Sequence, residues 1–216
     1  MKVIALVTQK GGTGKSSLAI SLAVATIERG LKSYVIDLDP QATAKNWFER
    51  REAEAPEVAA IEPSKVSAAL AMLARQKVDL VFIDTAGVDT PATTAAMQAA
   101  DLCLIPARPS IADIEAARPT VRTLSKLDRP YAFVLNQCPA GRSIRTTDAF
   151  RVLSLTGAVA GVSLAMRADH LDALAAGQGV TERDTSGKAA SEMRELLTWL
   201  INRLEGKTHD EKARVA

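Results

Sequence analysis

The sequence predicts an α/β protein: a doubly wound, mostly parallel sheet of about seven strands with helices on both faces. Two observations carry that expectation. Short apolar runs at 3–7, 33–38, 78–84, 102–106 and 131–136 alternate with stretches of helical periodicity. Such alternation demands parallel pairing through crossover helices. The runs also end in polar residues: Lys15 after the first, Asp37 and Asp39 on the second, Asp84 on the third, Asn136 on the last. Polar side chains gathered from separate strands at the C-terminal rim of an open parallel sheet describe a ligand site.

Val3-Ile4-Ala5-Leu6-Val7 is the first buried strand. The loop Lys10-Gly11-Gly12-Thr13-Gly14-Lys15-Ser16-Ser17 follows, and its glycines let backbone N–H groups turn inward. A helix from Ser17 presents its positive end to the same point. Together these describe a phosphate cradle, with Lys15 reaching the β- and γ-phosphates and the Ser16 hydroxyl holding Mg²⁺. One position departs from the common pattern G-x-x-x-x-G-K-[ST]. Its first glycine would fall at position 9, where this chain has Gln9, and Lys10-Gly11-Gly12 stand in its place.

The second strand, 33–40, ends with Asp37 and Asp39 at alternate positions and therefore on one side. A helix over 42–51 with Trp47 and Phe48 as apolar anchors, an edge strand over 57–62 and a helix over 64–76 come next. The third apolar run ends on Asp84 in the form of a Walker B strand, whose acid holds Mg²⁺ directly or through water. Thr85-Ala86-Gly87 is small and flexible, as a γ-phosphate sensor needs to be. A helix over 90–99, a strand over 102–106 and a stiff turn over 106–110 lead to 111–127. That stretch is helical except for Pro119, which either kinks one helix or separates two. Strand 131–136, helix 143–155, a weak last strand over 158–163, a short helix over 170–176 and an amphipathic helix over 191–204 complete the pattern. Residues 1–205 read as a single domain and 206–216 as a charged, frayed tail.

The 47% hydrophobic content of the 216 residues is ample for one core, and a net charge of +2 does not announce a nucleic-acid binder. Cys103 and Cys138 lie in apolar runs and read as reduced core residues, not a disulfide. Met1-Lys2 leads straight into the first strand, so no signal peptide is expected, and no apolar run reaches the length of a membrane span. His170 and His209 sit in polar stretches outside any motif and read as solvated.

Taken in order, K-G-G-T-G-K-S, V-I-D-L-D-P-Q and L-V-F-I-D-T-A-G resemble the ParA-type partition ATPases, the deviant Walker A group that includes MinD. The resemblance covers nearly the whole chain, and the loop starting at residue 10 is similar to the small class without an N-terminal helix-turn-helix domain. It implies ATP and Mg²⁺ as cofactors. It also implies slow ATP hydrolysis stimulated by a ParB-like adaptor, and a cytoplasmic, nucleoid-associated protein. Lys10 resembles the signature lysine that crosses a nucleotide-sandwich homodimer to the partner's phosphates, a cation supplied in trans. Catalysis would then fall to Lys10, Lys15 and Asp39, the last orienting the attacking water. Gly11, Gly12, Thr13, Gly14, Ser16 and Ser17 would bind nucleotide, Asn136 would contact adenine, and Ser16, Asp37 and Asp84 would form the metal shell. The relative weight of Asp37 and Asp39 stays open, as does whether the Pro106/Pro109 turn serves the dimer interface or only stiffens a loop.

Arg118, Arg122 and Lys126 are spaced for one face of a helix, and Arg142, Arg145 and Arg151 follow nearby. Such a stripe would neutralise phosphates without reading bases. An ordinary solvated helix face would carry the same residues. The resemblance tips this toward non-specific duplex DNA bound by the ATP dimer. Two rivals stand beside partition. A positioning ATPase of the MinD or McdA kind would carry a membrane or protein cargo, although the tail over 207–216 lacks the apolar face a membrane helix needs. An iron–sulfur reductase would need Cys103 and Cys138 in a cluster loop.

Overall fold

A computed structural model describes residues 1–207 of the chain. Seven strands, β1 (Lys2–Leu6), β2 (Ser33–Asp37), β3 (Glu57–Ala60), β4 (Leu80–Asp84), β5 (Leu102–Ala107), β6 (Tyr131–Leu135) and β7 (Ala158–Val159), form one sheet in the order β3-β2-β4-β1-β5-β6-β7. Every pairing is parallel, not merely most of them. The helices are α1 (Lys15–Glu28), α2 (Thr43–Glu49), α3 (Val66–Arg75), α4 (Pro91–Ala99), α5 (Ile111–Lys126), α6 (Ile144–Ser154), α7 (Ala168–Ala175), α8 (Val180–Arg183) and α9 (Lys188–Leu204).

The sheet divides the apolar interior in two. On β1, Ile4 and Leu6 join α1, α2, α7, α8 and α9 around Trp47, Met193 and Leu200. Val3, Ala5 and Val7 turn the other way, to residues of α3, α4, α5 and α6 such as Leu73, Met97, Leu124 and Leu153. This alternation is the period-two geometry of a strand buried on both sides. α1 lies against the middle of the sheet with Leu18, Ile20, Leu22 and Val24 all buried. Its alanine content lets it sit close.

Two prolines that look disruptive are accommodated. Pro106 lies inside β5, opposite Val134 of β6. Even-numbered positions of β5 face β1, since the Leu104 carbonyl accepts from Val7 N–H, but the ladder to β1 ends at Leu104. Pro106 therefore lies beyond the ladder to β1, so its missing N–H breaks none of the paired positions. Pro119 sits within one continuous helix, α5, and the next residue, Thr120, accepts a hydrogen bond from Gln9 N–H at 3.2 Å. The short helix α8 had no signal in the sequence. Gly206, at φ +70°, ends α9, and residues 208–216 of the expected tail lie outside the described residues. Among the described residues no helix is long and apolar enough to cross a membrane.

Candidate functional site

Sheet register brings the acids together. Leu6, the last residue of β1, lies beside Asp84 of β4, and Asp84 lies beside Asp37 of β2. Register partners point to the same face of a sheet. Leu6 packs into the α1 layer, so both carboxylates turn toward the start of α1. That helix begins at Lys15, after Gly14 in the left-handed region at φ +89°. Lys15 is buried and its ammonium donates to the Lys10 carbonyl at 3.3 Å. Burial lowers its pKa, against the pull of Asp84 and Asp39. Gly87, in the expected γ-phosphate sensor, is pressed on the loop: a Cβ there would come within 2.8 Å of Gly11 N.

Asp84 is buried against its own charge. Among the described residues neither of its buried carboxylate oxygens meets a hydrogen-bond partner, and the Ser16 hydroxyl lies close by. Burial pushes the carboxyl up to about 7; Ser16 and Lys15 oppose the rise, while Asp37 and Asp39 add to it. A hard cation fits such orphaned oxygens. Ser16 and Asp84 would hold it, with Asp37 beside Asp84 in the expected shell. Among the described residues no three His, Cys, Asp or Glu side chains cluster as a metal site.

The Asp84 contribution to the stability of the nucleotide-free protein should therefore grow as pH falls from about 7 toward 3.8. In that window the folded state holds a proton on Asp84 that the unfolded chain has released, at about 1.4 kcal/mol per pH unit. Thermal unfolding of wild type and Asp84→Asn across the window checks this: the variant should lose that slope, and equal slopes would refute it.

Asp37 is occupied differently. Its Oδ1 accepts from Asp39 N–H at 3.0 Å, and its Oδ2 from Ala44 and Lys45 N–H, both at 3.0 Å. It caps the start of α2, whose first N–H groups otherwise lack partners. Burial raises its pKa and those three backbone hydrogen bonds lower it. Asp39 is half-buried, with Oδ1 taken by Gln41 N–H at 2.9 Å.

Asn136 follows β6 and donates to the Thr13 carbonyl at 2.7 Å, so it grips the loop as well as lining a cleft. The cleft, about 390 Å³, runs beside Gly14 and Ser17 to Met166, Arg167, His170 and Leu171. His170 corrects the expectation of a solvated side chain. It is half-buried, its Nε2 meets no partner among the described residues, and burial lowers its pKa. His209 lies outside the described residues. Both cysteines are free and buried, their thiols pushed up to about 12 and about 11, chiefly by burial. Cys138 sits just past β6, bridged to Ala165, not inside a strand.

Lys10 finds a partner no motif announced. Its Nζ lies 2.9 Å from Asp113 Oδ2, at the first turn of α5, and Arg108 Nε lies 3.1 Å from Asp113 Oδ1. Burial alone would raise the Asp113 pKa, but hydrogen bonds from Ser110, Lys10 and Arg108 hold it low. The pattern Ser110-x-x-Asp113 before an apolar helix was the available signal, since Ser110 caps α5. The basic residues Arg118, Arg122 and Lys126 are exposed on α5, and Arg142, Arg145 and Arg151 are exposed at or near α6. Among the described residues Arg151 alone of these six finds a partner, Asp148 at 3.7 Å.

A loop of this form, following a strand beside those that carry Asp84 and Asp37, has known counterparts. A family model of the CobQ/CobB/MinD/ParA nucleotide binding domain matches residues 4–216. The chain belongs to that family. ParA/MinD-family proteins are ATPases. Protein IncC of Escherichia coli is 27% identical over 95% of this chain and 70% of its own length. Protein ParA of Rhizobium radiobacter is 28% identical over 61% of this chain and 62% of its own. The maintenance of carboxysome distribution protein A of Gloeobacter kilaueensis is 32% identical over 56% and 55%. Among solved structures, MinD of Pyrococcus horikoshii complexed with Mg-ADP superposes with a TM-score of 0.76 at 18% identity, covering 99% of each chain. A plasmid partition protein from Borrelia burgdorferi gives 0.70 at 17%, over 94% and 98%. At such identities the structures speak for the fold alone, and they share the ParA/MinD fold with this chain.

Proposed function

We propose that this ParA/MinD-family domain dimerises on binding Mg-ATP, binds duplex DNA non-specifically as the dimer and hydrolyses ATP to drive plasmid or chromosome partition. The observation that carries the reading is the pair of lysines in one glycine loop, Lys15 buried under the loop and Lys10 at its outer edge. Lys15 would draw the β- and γ-phosphates onto the N-terminus of α1. Asp39, with one carboxylate oxygen outside its local turn, would orient the attacking water. Lys10 would reach a second copy's phosphates, so that charge building in the transition state is met only in the dimer. Magnesium, when bound, would neutralise phosphate charge, and Ser16, Asp84 and the neighbouring Asp37 would form its shell. A ParB-like adaptor would stimulate the reaction, and DNA binding would place the protein on the nucleoid.

The DNA arm has its own test. Retention of duplex should require ATP and fall about 10³-fold between 50 and 200 mM salt for a dimer touching about six phosphates. Replacing Arg118, Arg122 and Lys126 together by alanine should flatten that slope without changing ATP affinity. Binding that ignores both nucleotide and salt would remove partition from the reading. A positioning ATPase for a protein cargo is the second reading, favoured by the 32% identity to the carboxysome distribution protein. It predicts the same dimer with a cargo adaptor in place of a centromere-bound one.

A further inference from the structure

A planar trans peptide carries its N–H and C=O on opposite sides, so fixing one end aims the other. In the loop, the Gly12–Thr13 and Thr13–Gly14 peptides each have their carbonyl end held. Gln137 Nε2 donates to the Gly12 carbonyl at 3.0 Å, and Asn136 Nδ2 donates to the Thr13 carbonyl at 2.7 Å. The opposite ends, Thr13 N–H and Gly14 N–H, meet no acceptor among the described residues. The loop has no stiffness of its own here, because Gly12 and Gly14 both take left-handed conformations at φ +73° and +89°.

Gln137 is itself set for the task at some cost. Its φ is +53°, a region that favours glycine or asparagine over glutamine. The chain on either side is pinned: Asn136 N–H donates to the Ala107 carbonyl and Cys138 N–H to the Leu164 carbonyl, both at 2.9 Å. This anchored bend swings the Gln137 carboxamide over the loop. A Cβ added at Gly14 would lie 2.5 Å from Asn136 Nδ2 and 3.6 Å from Gln137 Nε2, so both amides close on the same side.

We propose that Gln137 is a positioning residue of the nucleotide site, holding the Gly12–Thr13 peptide so that Thr13 N–H faces the phosphates of a nucleoside di- or triphosphate. The proposal rests on the reading of this loop as the phosphate site. Gln137→Ala and Gln137→Glu remove the donor, the second almost without change of shape; Gln137→Lys restores a donor of similar reach. Binding of Mg-ADP and of adenosine to each variant, by calorimetry, separates the possibilities. Gln137→Ala and Gln137→Glu should bind Mg-ADP about 5- to 10-fold more weakly. Gln137→Lys should stay near wild type, adenosine affinity should not change, and nucleotide-free melting temperatures should match. Wild-type affinity in Gln137→Ala overturns the proposal, as does a Gln137→Lys no better than Gln137→Glu or an equal loss for adenosine. A wild-type protein that binds no Mg-ADP overturns the phosphate-site reading itself, and the proposal with it.

Discussion

Lys15→Ala should bind Mg-ATP and Mg-ADP at least about 30-fold more weakly than wild type, with no measurable ATP hydrolysis. Truncating one side of a desolvated charge pair costs about 2–5 kcal/mol, and each 1.4 kcal/mol is tenfold in affinity. Lys15 is buried and burial already works against its charge, so its ammonium is held ready for an anion at a standing cost. The nucleotide-free variant should consequently melt within a few degrees of wild type, since among the described residues Lys15 makes no salt bridge and its hydrogen bond to Lys10 O is long at 3.3 Å. Calorimetric titration with Mg-ADP, beside thermal unfolding without it, checks both halves. Tight nucleotide binding by the variant would remove Lys15 from the phosphate site.

Lys10→Ala should do something different: bind nucleotide as wild type does, yet fail to dimerise with ATP. Its ammonium lies at the edge of the loop with 28% of the side chain exposed, turned toward Asp113 and away from the pocket that Lys15 fills. A cation delivered by a second copy is worth about 10³–10⁵ in turnover where it completes a phosphoryl-transfer site. Light scattering after size exclusion, with and without ATP, reads the dimer, and stimulated hydrolysis reads the chemistry. A Lys10→Ala protein that still forms the ATP dimer refutes the trans role.

Much of this site was legible from residues because each feature is local. The glycine loop lies between a run of apolar residues and a helix, and Asp84 ends a buried strand. Spacing fixes such things. What stayed hidden depends on partners distant in sequence. Asp113 meets Lys10 across 103 residues, Gln137 meets Gly12 across 125, and Thr120 meets Gln9 across 111. Asp37 shows the same limit from the other side. Its place at the strand end was readable, but not that three backbone N–H groups claim its carboxylate. His170 read as solvated because its neighbours in sequence are polar, whereas burial is decided by the packing of α7 beside the cleft.

The Asp113 carboxylate is built with a spare counterion. Lys10 answers one oxygen and Arg108 the other, with the Ser110 hydroxyl donating as well. If Lys10 swings away to another molecule, the acid it leaves is still neutralised and still hydrogen-bonded. The departure forfeits one contact of several and strands no buried charge. A lysine stowed against a lone acid would be locked down; this one is parked, and the molecule can release it at the price of a hydrogen bond.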